Sequence, residues 1–318
     1  MAWHLKLVPD KTYVPFMRLR RTAFGFSSLL GVLSIVLLVI LGLNFGIDFR
    51  GGTLIQVKTQ GPANISSMRG ALGGLQLGDF ALQEFGEADE VLIRVQRQDG
   101  DNADQQVAIE LIKRALEATV DGDIEYRRVE FVGPQVSEEL KRAGALALGI
   151  ALGAMLLYIW FRFEWQFSVG AVTALVHDVI LTFGFFAITG LEFNLSIVAA
   201  ILTIVGYSMN DTVVVYDRVR ENLRKYKKTD LKELIDLSIN DTLSRTTLTS
   251  VTTLLALIAL AVVGGPVIAG FVLAMIWGVV IGTYSSIFVA APVLLYLGVR
   301  REVFDKETDE SASDATPA

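Results

Sequence analysis

Six stretches of the chain are dominated by apolar side chains and nearly free of charge, and each is long enough, against the ~20 residues a helix needs, to cross a bilayer. They cover residues 24–45, 143–161, 167–188, 195–216, 246–263 and 269–297. The first holds no charge over its 22 residues. It is too long for the apolar core of a signal peptide and lacks a small-residue cleavage site, so it reads as a retained span. The third is broken only by His177-Asp178, and the fourth carries Asp211. The sixth is long enough to tilt.

Between the first and second spans the pattern changes. TLIQVKT (53–59) reads as a strand, and FALQEF (80–85) and VLIRVQ (91–96) alternate with period two, as half-buried strands do. IEYRRVEFV (124–132) reads as a last strand. Residues 66–75 predict a short helix weakened by Gly70, Gly73 and Gly74, and residues 102–120 a longer one with Val107, Leu111, Ala115 and Leu116 as its apolar stripe. The order β-α-β-β-α-β is that of a ferredoxin-like unit. The predicted fold class is therefore an α-helical polytopic membrane protein, six transmembrane helices with one α/β domain between the first and second.

Composition agrees: 52% of residues are hydrophobic, 19% are charged, and the mean hydropathy is +0.49. That is too apolar for an ordinary soluble domain. There is no cysteine, and two histidines, His4 and His177, are too few for a histidine metal cluster. No phosphate-loop motif is present, so nothing points to ATP hydrolysis by this chain.

Basic residues set the orientation. Lys6, Lys11, Arg18, Arg20 and Arg21 precede the first span, Arg162 separates the second from the third, Arg300 and Arg301 follow the sixth, and the link between the fourth and fifth is strongly basic. The alternate loops, GLEFN and GGP, have no basic residue. Both termini are expected to be cytoplasmic and the α/β domain extracytoplasmic. The expected organisation is a cytoplasmic segment 1–23, a first span 24–45, the domain 46–136, spans two to six within 137–299 with a cytoplasmic link 217–245, and a disordered cytoplasmic tail 300–318. Ser137, followed by Glu138 and Glu139, is expected to cap the second span. Gly149 and Gly153, and Gly278 and Gly282, form G-x-x-x-G pairs that suit close helix packing.

Asp211 is the main anomaly. It lies about 24 Å from the start of its span at 1.5 Å per residue, inside a ~30 Å hydrocarbon core. An ionised carboxylate there costs at least ~2.5 kcal/mol, so it must face a polar cavity, a partner or a proton. Arg245 opens the fifth span on the same side, with Thr249, Thr252 and Thr253 following on roughly the same face. If the two spans adjoin, Arg245 and Asp211 form either a pair that binds and releases a proton as helices shift, or a static ion pair that fixes register. His177 and Asp178 sit near the middle of the third span. They point about 100° apart, so one can line a pathway while the other bonds a neighbouring helix. A relay and a helix contact are equally open readings, for these two and for Asn210. Asp217, Arg218, Arg220 and Glu221 read as a solvated helix end, and the following RKYKK suits anionic lipid. Asp48, Arg50, Gly51 and Gly52 read as a turn into the first strand.

GIDFRGG after the first span, VGYSMNDTVVVYDRVREN on the fourth, LSRTTLTSVTTL entering the fifth and GGPVIAGF before the sixth resemble the SecD/SecF family of protein-export membrane subunits, on its SecF side. The resemblance runs over about residues 18–301, and its motifs include Asp48, Arg50, Gly51, Gly52, Asp217 and Arg218 at helix ends. It implies a six-span half of the resistance-nodulation-division fold in the bacterial cytoplasmic (inner) membrane. It also implies a SecD-type six-span partner, the SecYEG channel, an exported polypeptide, and use of the proton-motive force late in export. The proton-linked carboxylate falls at Asp211 and the essential arginine at Arg245. No catalytic residue, metal or cofactor is implied, nor any nucleic acid partner; the sequence leaves H⁺ and Na⁺ open as the coupling ion. A small-molecule exporter of the same superfamily and a non-conducting scaffold are the competing readings, and an intramembrane enzyme fits poorly because no Ser/His, metal or paired-aspartate motif recurs on facing spans.

Overall fold

The computed structural model of the protein describes residues 9, 12–75, 77–98, 100, 102–120 and 122–299. The tail 300–318 and most of the first eleven residues lie outside the described residues. Six helices are long and apolar enough to cross a membrane. They are α1 (Arg20–Leu41), α5 (Pro134–Arg162), α6 (Trp165–Thr189), α7 (Leu195–Lys225), α8 (Leu231–Val263) and a sixth that begins as α9 (Pro266–Ser285). After α9 the chain passes through a π-helical turn, Ser286–Ala290, into α10 (Ala291–Leu297). Pro292 follows this turn closely and has no N–H to give, which favours a local change of hydrogen-bond register there.

Several helices run beyond the apolar stretches that announce them. α5 starts at Pro134, with Gly133 as the N-cap and proline at the first position, where its missing N–H costs nothing. Ser137 is therefore inside the helix and buried rather than a cap, and its hydroxyl has no partner. α8 starts at Leu231, capped by Asp230, whose carboxylate accepts the Lys232 N–H at 3.0 Å. The basic link between α7 and α8 is consequently mostly helix, with a turn only at residues 226–230.

Burial sorts the bundle. About half of the most apolar window of α6 and of α7 is covered by other elements (50% and 56%), against 11% for α1 and for α5. α6 and α7 are thus the core, and α1 and α5 stand at the periphery. α9 crosses α7 at Gly278 and Gly282, where an added Cβ would run into Ile204 and Ser208. Gly184 of α6 likewise receives Ser34 of α1. A Cβ added at Gly149 or Gly153 of α5 would meet nothing within 4 Å among the described residues.

In sequence, the α/β domain lies between α1 and α5. A short helix α2 (Ile47–Arg50) leads into β1 (Gly52–Lys58), α3 (Ile65–Gly73), β2 (Phe80–Phe85), β3 (Glu87–Val95), α4 (Asn102–Glu117) and β4 (Glu125–Val132). The sheet order is β2-β3-β1-β4 and every pairing is antiparallel, the ferredoxin-like arrangement. Ile55, Val57, Val91, Ile93 and Val95 fill one sheet face against Met68, Leu72, Ala108, Ile112 and Leu116. The buried side of α4 is therefore the 105, 108, 112, 116 face. Val107 and Leu111, expected in its stripe, are exposed, because the helix is rotated to put Ala108 and Ile112 on the sheet. On the other face, Leu54 and Leu92 rest on Ile47 of α2.

Candidate functional site

A polar layer crosses the apolar bundle where α6, α7, α8 and α9 meet. Asp178 of α6 and Ser285 of α9 are its fully enclosed members. Oδ2 of Asp178 accepts the Ser208 hydroxyl of α7 at 2.5 Å and the Ser285 hydroxyl of α9 at 2.7 Å. Its Oδ1 lies 2.9 Å from Nδ1 of His177, so one proton is shared between these sequence neighbours. A helix turns about 100° per residue, but the long imidazole reaches back across that angle. The His177 ring tilts beside Tyr284, whose hydroxyl donates to the Ala23 carbonyl at 3.2 Å and meets the Ser27 hydroxyl at 2.9 Å, both on α1. Nε2 of His177 is buried without a partner.

Asp211 stands one turn beyond Ser208 on α7 and is 2% exposed. Its surroundings differ from those of Asp178. Oδ2 of Asp211 is buried with no hydrogen-bond partner. The Thr283 hydroxyl lies beside the carboxylate. A run of hydroxyls ends there: Tyr207 donates to Ser250 at 3.4 Å, and Ser250 meets Thr283 at 2.8 Å. The Thr283 hydroxyl also lies 2.8 Å from the Val279 carbonyl, so its one proton is contested between that carbonyl and Asp211.

Arg245 is near enough for its charge to act on Asp211, yet no ion pair joins them. The buried face of α8 is Thr242, Thr246 and Ser250. Arg245 and Thr252 are exposed on the outside of the bundle, and so is Asn210 of α7. The structure thus brings Asp178, His177 and Ser208 together, places Asp211 beside them, and turns Arg245 and Asn210 outward. Among the described residues, no group of three or more His, Cys, Asp or Glu is arranged to hold a metal ion.

The helix-end motifs do more than turn the chain. At the end of the bundle away from the sheet, Asp217 pairs with Arg162 at 2.7 Å, Arg218 with Asp241 at 2.9 Å, and Arg220 with Glu164 at 3.3 Å. Asn222 is buried and donates to Ser238 at 3.0 Å. The expected solvated helix end holds for Asp217 and Glu221, which stay exposed, while Arg220 and Asn222 are enclosed where α7 meets α8 and the α5–α6 corner. At the sheet end, Asp48 accepts the Leu195 N–H of α7 at 2.9 Å. Gly51 and Gly52 have φ of 72° and 115°, and a Cβ on Gly52 would strike the Val95 carbonyl of β3. Only glycine suits that position. Arg50 is exposed.

Residues 112–300 match the family described as protein export membrane protein SecD/SecF, C-terminal, and residues 36–63 match the SecD/SecF GG motif. A protein translocase subunit SecF from Rickettsia rickettsii is 47% identical over 96% of this chain and 98% of its own. One from Cereibacter sphaeroides is 49% identical over 95% and 94%. The chain belongs to the SecD/SecF family, on its SecF side. The crystal structure of SecDF, a translocon-associated membrane protein from Thermus thermophilus, superposes with a TM-score of 0.82 at 34% identity, over 92% of this chain. This chain spans 40% of that SecDF chain.

A SecF-type chain is an accessory subunit of the Sec protein translocase and a multi-pass inner-membrane protein. Gly51-Gly52 lies within the residues that match the GG motif, and the C-terminal match covers Asp178, Ser208, Asp211 and Ser285. Sequence reading singles out Asp178, His177 and Asp211 but misses Ser285, Ser250, Thr283 and Tyr284. A serine or threonine in an apolar span returns its hydroxyl to its own helix as readily as it bonds a neighbour. Nothing in a single sequence separates the two.

Proposed function

We propose that this subunit couples the proton-motive force to the late stages of polypeptide export, with Asp211 as the group that takes up and releases the proton. The observation that carries this is the contrast between two buried carboxylates in one layer. Asp178 has hydrogen bonds to both oxygens and is held. Asp211 keeps one oxygen unpartnered at a depth where an unsatisfied charge is costly, so a proton, or a cation brought nearer, stabilises it. Rotation of the Tyr207, Ser250 and Thr283 hydroxyls would turn a donor toward Asp211. Arg245, poised nearby without an ion pair, is the fixed positive charge whose approach releases the proton, since guanidinium itself does not deprotonate.

Arg245, Asn210 and Thr252 lie on the outside of the bundle at membrane depth. An arginine facing hydrocarbon costs at least ~2.5 kcal/mol, which supports a second helical half covering this face. We assign that place to a SecD-type six-span partner, the pair acting with the SecYEG channel on the exported polypeptide. The basic distribution supports both termini in the cytoplasm and the α/β domain outside it, with Arg224, Lys225, Lys227 and Lys228 near anionic headgroups.

Asp211→Asn tests the reading in vesicles that hold the complete translocase. Gradient-stimulated export should be lost while the protein still assembles. Export at the wild-type rate under an intact gradient would remove Asp211 from the proton path. The scaffold reading finds its support at Asp178, whose bonds join three helices, and not at Asp211.

A further inference from the structure

The sheet end of the bundle is fastened at more points than a turn requires. Asp48, three residues before Gly51, caps α7 through the Leu195 N–H. Beside it the chain leaving α1 and the α6–α7 loop run parallel as a one-residue bridge, Phe45 with Phe193, with Gly46 N–H to Phe193 O at 3.0 Å and Phe193 N–H to Asn44 O at 2.8 Å. Arg94, on β3, forks across both segments: one nitrogen donates to Asn44 Oδ1 at 2.9 Å and the other to Glu192 Oε2 at 2.9 Å. Asn44 in turn donates to the Gly190 carbonyl at 2.8 Å. Phe45, Phe49 and Phe193 pack edge-on or tilted within 6 Å of one another beneath this network. Gly52 lets β1 come against the Val95 carbonyl, one residue from Arg94.

We infer that this joint makes the α/β domain and the head of α7 one mechanical body, so that displacement of the Asp211 helix is delivered to the domain. A planar guanidinium whose two nitrogens are held by two different acceptors, Asn44 and Glu192, fixes direction as well as distance, which a flexible linker cannot do. The pair is partly enclosed, with Arg94 16% and Glu192 21% exposed, so water screens it less than a surface pair. The GG motif is thereby the hinge-free entry to β1, and Asp48 and Arg94 are positioning residues for the domain. The inference rests on the reading of Asp211 as the proton group only in what drives α7; the joint itself stands on its own geometry.

The chain has no cysteine, so paired spin labels at Glu110→Cys on α4 and Ala199→Cys on α7 report the joint directly, in the subunit assembled with its partner half. A narrow distance distribution is expected. Asp48→Leu with Arg94→Ala should broaden it and lower gradient-stimulated export at least tenfold, while proton uptake persists. Asp48→Asn retains an acceptor oxygen for Leu195 and should keep both the narrow distribution and export. A broad distribution in the parent, wild-type export by the double variant, or loss of proton uptake along with export would each overturn the inference. An inert Asp211→Asn change would sink the proton reading and leave the label result untouched.

Discussion

Replacing Asp178 by alanine removes the acceptor that ties α6 to α7 and α9. The Ser208 hydroxyl loses its partner, whereas Ser285 keeps a second acceptor, the Gly282 carbonyl at 3.2 Å. His177 Nδ1 is also stranded. Interhelical hydrogen bonds in membrane proteins contribute ~0.6 kcal/mol on average and up to ~1.7. The short Ser208 bond belongs at the upper end, and Ser285 at the lower because of its fallback. The two bonds between helices together suggest a loss of about 2 kcal/mol, roughly a thirtyfold change in the unfolding equilibrium. Denaturing-detergent titration followed by tryptophan fluorescence reads this. Ser208→Ala alone should cost about 1.5 kcal/mol and Ser285→Ala about a third of that. The double change Asp178→Ala with Ser208→Ala should cost less than the sum, because one bond is removed twice. If Asp178→Ala lies within about 0.5 kcal/mol of the parent, or if the cycle shows no coupling, the carboxylate does not hold the helices together and the distinction drawn between Asp178 and Asp211 fails.

Burial raises the Glu192 carboxyl above its ordinary range and Arg94 opposes the rise. A raised carboxyl adds stability that is complete below its unfolded value and lost as pH climbs through the folded one. Arg94→Ala leaves burial unopposed, so its Tm deficit against the parent should widen as pH rises from the ordinary glutamate value of about 4; a deficit independent of pH would refute the pairing. Gly278→Leu forces a side chain into Ile204, and the overpacked α7–α9 crossing should lose about 1–3 kcal/mol. Gly149→Leu, at an open position, should change the isolated subunit by less than about 0.5 kcal/mol in the same titration.

The sequence makes the architecture legible because its signals are long and redundant. Apolar runs of bilayer length need no partner to be recognised, and a period-two strand such as FALQEF declares its alternation in six residues. The domain order follows from these alone. Orientation about a helix axis is harder: α4 has apolar residues at 107, 108, 111, 112, 115 and 116, enough for two neighbouring stripes, and only the sheet it packs on selects Ala108 and Ile112. Ends are harder still. Ser137 is a plausible cap, but Gly133-Pro134 one turn earlier already starts the helix, and α8 runs through charged sequence that hydropathy reads as a loop. Ionic partners are the least legible, since Arg94 and Glu192 meet only after the domain has folded back on the bundle.

The same limit explains why Asp211 and Arg245 adjoin without pairing. Spacing on two helices fixes their depth, since both lie about 24–27 Å from the sheet-side helix ends. It does not fix their rotation. α8 turns Thr246 and Ser250 inward, and a helix cannot also turn Arg245 inward, because 245 and 246 are about 100° apart. The arginine is therefore assigned to the surface by the threonine–serine stripe. For Arg245 to move against Asp211, α8 must rotate or a covering helix must press the side chain in. A proton on Asp211 weakens the attraction between them, and its departure restores it. With Asp211 as the proposed proton group, protonation and the relative position of α7 and α8 would be linked through this one pair, and the contacts that fix α7 at its ends, those of Asp217–Asn222 on one side and Asp48 on the other, would determine where that movement goes.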